Sequence, residues 1–114
     1  MKYPKFESLN ILAGNSENPG KCVGFEYFTV DITVKSLDLS VCSRTPKYAI
    51  MSLESDATGV AVRYKINGKG PDPNEGMPKY DKSVWTIIST EDLVRFRITK
   101  VAEGSHVLNV EYYY

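Results

Sequence analysis

The sequence is poor in the residues that usually carry chemistry. It has one histidine, His106, and two cysteines, Cys22 and Cys42, which form no CxxC pair. One histidine cannot make a two-histidine metal site, and two isolated thiols have no second pair to complete a zinc centre. The thiols read as small, semi-buried side chains, a common place for free cysteine; a disulfide would need an oxidising compartment. An excess of either charge is also missing, since 14 basic residues balance 14 acidic ones. Such a chain has no general attraction for phosphate backbones or anionic membranes, so neither nucleic acid nor membrane is an expected partner. No apolar run approaches the ~20 residues that span a bilayer. The start, Met1 to Glu7, lacks the apolar stretch of a signal peptide. Synthesis in the cytoplasm of a host cell is the expectation.

Motifs of catalysis are equally scarce. There is no GxGxxG, and Gly68-Lys69-Gly70 precedes Pro71 rather than opening a helix, which speaks against phosphate binding. Asp72-Pro73-Asn74-Glu75 offers oxygen ligands without the alternating spacing of a calcium loop. A glycosidase needs two carboxylates across a sugar cleft; the acidic residues here are scattered, and 114 residues leave little material to build one. His106 has no Asp, Ser or Cys beside it in a recognisable motif and reads as a surface residue at a strand end. The expectation is no catalytic residue, no metal and no cofactor.

What is present is alternation. Phe28, Val30, Ile32 and Val34 alternate with Thr29, Asp31 and Thr33, and Leu37, Leu39 and Val41 with Ser36, Asp38 and Ser40. Val60, Val62, Tyr64 and Ile66 do the same, as do Val94, Phe96 and Ile98, and then Leu108, Val110 and Tyr112. Successive strand side chains point to opposite faces, so each run shows one face to a core and one to water. Residues 48–53 and 84–88 are apolar on both parities and read as more central strands. No long segment carries a helical stripe; Ser89-Thr90-Glu91-Asp92 could cap one short turn before a strand over residues 93–101.

Turn residues separate the runs. Asn67-Gly68 marks a reversal, Asp56-Ala57-Thr58-Gly59 another, and Glu103-Gly104-Ser105 predicts a hairpin between residues 93–101 and 106–113. About seven short strands at regular spacing predict an all-β, antiparallel β-sandwich, Ig-like or jelly-roll-like, as one domain over residues 1–114. Its predicted core is Phe28, Val30, Ile32, Val62, Tyr64, Ile66, Phe96, Ile98, Leu108 and Val110. Residues 1–21 have less strand character and could form an arm that reaches a neighbour.

Two features suggest contact with a partner. Residues 67–83 hold three of the six prolines, together with glycines, in a long stretch without regular pattern. Long loops in compact domains are often functional, and Pro and Gly can keep them ordered. The chain also has eight tyrosines and ends Tyr112-Tyr113-Tyr114; tyrosine is favoured at contact surfaces. Alternation turns Tyr112 inward and Tyr113 outward. The candidate partner-binding residues are Lys69, Pro71, Asp72, Met77, Tyr80, Tyr113 and Tyr114.

The stretch Val62-Arg63-Tyr64-Lys65-Ile66-Asn67-Gly68-Lys69-Gly70-Pro71-Asp72 resembles a strand-turn signature of the form V-R-Y-x-x-D-G-x-x-P-T, with Asn67 and Asp72 in place of its Asp and Thr. Gly76, the step from Met77 to Tyr80, and the later runs Val94-Arg95-Phe96-Arg97-Ile98 and Val107-Leu108-Asn109-Val110-Glu111-Tyr112 continue the likeness. From Val60 onward the chain is similar to small β-sandwich proteins of tailed-bacteriophage virions that decorate heads or fill auxiliary positions. The turn also resembles the Ig-like accessory domain beside glycoside hydrolases such as chitobiase. The first resemblance implies a non-enzymatic virion protein that binds a repeating lattice. Its partners would be other virion proteins, the major capsid protein among them, with homo-oligomers a further option. The second implies a carbohydrate-binding or accessory module, for which Tyr80 and Trp85 would be the aromatic platform.

Overall fold

A computed structural model describes residues 20–114 of the chain. Seven strands among them form two antiparallel sheets. The four-stranded sheet has β1 (Cys22–Thr29), β7 (His106–Tyr113), β2 (Tyr48–Ser55) and β5 (Val84–Ile88), in that spatial order. The three-stranded sheet has β4 (Met77–Lys79), β3 (Val62–Lys65) and β6 (Arg97–Lys100). A short helix, α1 (Thr90–Arg95), joins β5 to β6. The fold is the all-β sandwich that the alternation implies.

One core lies between the sheets. Ala49, Met51 and Leu53 of β2, Trp85 and Ile87 of β5 and Leu108, Val110 and Tyr112 of β7 meet Val62 and Tyr64 of β3, Ile98 of β6 and Phe96 just before it. Tyr64 stacks between Trp85 and Phe96, with centroids 5.6 and 5.2 Å away. One polar group in this layer, the Trp85 indole N–H, is buried without a hydrogen-bond partner among the described residues, whereas others are paired. The Tyr112 hydroxyl donates to the Glu26 carboxylate, which also accepts from the Asp38 N–H at 2.9 Å. Burial, and then the bond to Glu26, pushes the Tyr112 phenol above its usual range.

The chain departs from simple alternation where it changes sheets. Beyond β1 it leaves β7 at Val30, bends at Asp31, whose carboxylate accepts from the Thr33 N–H, and runs along β6. Lys35 exchanges both backbone hydrogen bonds with Ile98, and the Lys100 N–H reaches Asp31. Val30 is therefore core, whereas Ile32 is 80% exposed and Val34 also faces out. Ile66, past the end of β3, is exposed as well. Residues 36–42 are not a strand: Asp38 caps a single 3-10 turn at Leu39–Val41 by accepting from Ser40 N. Leu37 and Leu39 still pack against the core, so the alternation there reports burial without a ladder.

Residues 93–101 also split. Ser89 accepts from the Asp92 N–H, Glu91 pairs with Arg95 one turn on, and Leu93 anchors the turn in the core. These local bonds favour a helix through Arg95, so Val94 is exposed and the strand begins only at Arg97. β6 and β7 lie in different sheets, so Glu103-Gly104-Ser105 is a crossover and no hairpin forms. The turn at residues 56–59 likewise passes between sheets. The residue 67–83 stretch contains β4, and β5 is an edge strand rather than a central one. Most of the proposed N-terminal arm, residues 1–19, lies outside the described residues. Lys21 pairs with Tyr114 through two backbone hydrogen bonds.

Candidate interaction surface

Among the described residues, the one arrangement that resembles catalytic geometry joins the end of β2 to the start of β7. Ser55 and His106 are cross-strand partners. The Ala102 carbonyl can only accept, so His106 Nε2 carries the proton toward it at 2.8 Å, and Nδ1 accepts from the Ser55 hydroxyl at 2.8 Å. His106 is fully buried, contrary to the surface position expected for it. Ser55 borders an open cleft of about 480 Å³ with Glu54, Asp56, Asp81, Lys82, Ser105 and Val107. A serine nucleophile needs donors aimed at a developing oxyanion. Here the nearby N–H groups are engaged: Ser55 on Asp81, Ala57 on the Ser55 hydroxyl, Asp56 on the Ser105 carbonyl, and Ser105 on Asp56. The three carboxylates would also repel an anion. The pair acts as a buried clasp between two strands and the turn that leads into β7. No cluster of three or more metal-ligating side chains occurs among the described residues. Both cysteines are free thiols; Cys22 is exposed and Cys42 half-buried, with burial raising the Cys42 pKa.

The residue 66–76 loop is ordered by its own bonds. Asn67 and Asp72 accept from the N–H groups of Lys69 and Asn74, and Asp72 and Glu75 exchange backbone bonds at 3.1 Å. Arg63 donates to the carbonyls of Pro73 and Gly76, and Lys65 pairs with Glu75 at 3.1 Å. Gly76 has φ +130°, and a Cβ there would press on Arg63, Pro71 and the Tyr64 carbonyl at 3.1 Å, so both backbone and space require glycine. Lys69, Asp72 and Met77 are exposed, but Pro71 is buried beneath the loop. Met77 borders an open hollow of about 550 Å³ with Tyr64, Ile66 and Glu75.

The tail and this loop lie at the same end of the sandwich. α1 spans them: Thr90 bonds the Pro46 carbonyl beside the start of β2, and the Arg95 carbonyl accepts from Gly68 in the loop. Tyr112 points into the core. Tyr113 is on the outer side, as alternation requires, but stacks on Tyr48 at 5.1 Å and is only 8% exposed. Tyr114 is open to solvent on one side, with Arg44 and Lys47 over its ring at 3.5 and 4.4 Å. Tyr80 belongs to the opposite end, where its N–H bonds Ser83. The candidate contact residues thus do not form one patch. Trp85 lies in the core, so Tyr80 and Trp85 make no platform.

Among the described residues there is also an apolar surface that alternation alone does not reveal. On the outer side of the four-stranded sheet, Tyr27, Asn109, Ser52 and Val84 form one cross-strand row, and Phe25, Glu111, Ile50 and Thr86 the next. Tyr113, Tyr48 and Ile88 form a third. Phe25, Tyr27, Val84 and Ile88 are 50%, 69%, 46% and 47% exposed. The outer side of a sandwich sheet is normally polar, so this face is the candidate interaction surface. Its signal in the sequence is the second apolar parity of residues 48–53 and 84–88 and the aromatic pair Phe25 and Tyr27. Searches of protein-family models, curated proteins and solved structures return no match to this chain.

Proposed function

We propose that this chain is a non-enzymatic structural protein of a tailed-phage virion, one that adds to a repeating lattice by surface complementarity. The observation that carries the binding role is the apolar outer face of the four-stranded sheet, with aromatic side chains standing in solvent on its edge. The virion context comes from the likeness of the Val62–Asp72 turn and the strands after it to head-decoration and auxiliary proteins. The major capsid protein is the first partner to consider, since many copies on a regular lattice convert weak contacts into stable attachment. The end of the sandwich that carries Lys69, Asp72, Met77 and Tyr114 offers a second, more polar contact region. The carbohydrate-module reading loses the Tyr80 and Trp85 pair it named, because Trp85 is enclosed. Mass spectrometry of purified particles from phage carrying this gene tests the proposal. Many copies per particle, released only by conditions that disrupt protein contacts, are expected. Absence from particles would overturn it.

A further inference from the structure

We infer that the outer face of the four-stranded sheet is a two-fold dimer interface, and that its occupant is a second copy of this chain. The inference rests on reading that face as a docking surface and goes on to name what docks there. Side-chain sizes are distributed unevenly across the sheet. The exposed aromatics, Phe25 and Tyr27, are on edge strand β1, and the smaller exposed aliphatics, Val84 and Ile88, are on the opposite edge, β5. A two-fold axis between two facing copies, parallel to the strands, places β1 of each over β5 of the other. Tyr27 and Val84 share one row through Asn109 and Ser52, so that axis brings Tyr27 of one copy onto Val84 of the next, and the reverse. Large meets small at both edges, which is the self-complementarity a symmetric interface requires. In the centre of the same row, Asn109 faces Ser52, and both can hydrogen-bond.

Charge and area agree with this occupant. The face carries two carboxylates, Glu111, which accepts from the Tyr113 hydroxyl at 3.0 Å, and Glu54 one row on, which accepts from Asn109 Nδ2 at 3.2 Å, and the chain as a whole carries no net charge. The two-fold axis sets Glu111 over Ile50 and Glu54 over Val107 of the other copy, so two copies meet without bringing acids face to face. Four strands ~4.8 Å apart and about seven residues long at ~3.4 Å each cover a plane of roughly 450 Å². Side-chain relief brings the accessible area toward the ~800 Å² per partner of a standard interface.

The test is solution mass with a charge-pair exchange. Light scattering coupled to size exclusion should give a dimer for the full chain, and a monomer for Tyr27→Glu alone and for Val84→Lys alone. Circular dichroism should show both variants folded, since both side chains are exposed. Mixing the two variants should restore a dimer containing one of each, because Glu at one position then meets Lys at the other. Dimers that survive both substitutions would overturn the inference, as would failure of the mixture to associate. A monomeric native chain whose Tyr27 resists hydroxyl-radical labelling would also overturn it, in favour of cover by the chain's own residues 1–19. If the native chain is monomeric and Tyr27→Glu abolishes attachment to particles, the inference fails while the docking role survives. If neither mass nor attachment changes, both fail.

Discussion

The two faces of the four-stranded sheet are built from the same four strands and differ in what they do with apolar side chains. On the inner face, Tyr112, Met51, Leu53, Leu108 and Val110 are covered completely, and the Glu26 carboxylate that enters it accepts from Tyr112 and Asp38. On the outer face, Phe25, Tyr27, Val84 and Ile88 remain about half exposed or more. Burial of a large apolar side chain contributes about 1.5–3 kcal/mol, so the inner set stabilises the domain, while the outer set contributes little until something covers it. The contrast separates residues that hold the fold from residues available for binding, within single strands and at neighbouring positions.

The largest effect expected from breaking this contrast is on the inner side. Phe96 is fully buried and stacks on Tyr64, so Phe96→Ala should cost about 3–5 kcal/mol in denaturant unfolding. A loss under about 1 kcal/mol would mean the ring is not part of the core. Next comes the clasp at the strand ends. Ser55→Ala leaves His106 Nδ1 and the Ala57 N–H without their partner, and a loss of about 1–3 kcal/mol is expected. The sequence could not show this clasp, because the partners are 51 residues apart and the bonding depends on which strands pair.

Alkaline pH sharpens the comparison in a different way. Burial raises the pKa of Tyr64 and Tyr112 inside the sandwich and of Tyr48 on the outer side. A folded-state pKa above the unfolded value means that stability is fully present below the unfolded pKa of about 10 and is lost as pH rises past it. Unfolding by base should therefore begin above about pH 10, and Tyr112→Phe should make stability less sensitive to pH there. The same slope in the native chain and in this variant would argue that the phenol does not titrate with unfolding.

Alternation made the β-sandwich and most of its core legible: seven of the ten expected core residues are buried, from Val30 to Val110. It failed where local bonding or a change of sheet competed with it. Ile32 alternates correctly but follows the Asp31 bend onto the edge of β6. Val94 alternates too, but lies on a helix that Ser89 caps and Leu93 anchors. The outer face was harder to see for another reason. Apolar residues on both parities also describe a strand buried on both sides, and only the packing of sheets distinguishes that from a surface left open.

The smallest effect on stability should come from the outer face itself, where surface substitutions usually shift stability by about 0.5 kcal/mol or less. The double variant Phe25→Thr/Tyr27→Thr keeps β-forming side chains on β1 while removing its exposed rings. Its melting temperature in dilute solution and its mass in concentrated solution, taken from the same preparation, test the division between the two faces most directly. The account predicts a melting temperature within about 4–8 °C of the native chain and loss of self-association. A drop in melting temperature like that of Phe96→Ala, with association intact, would contradict it.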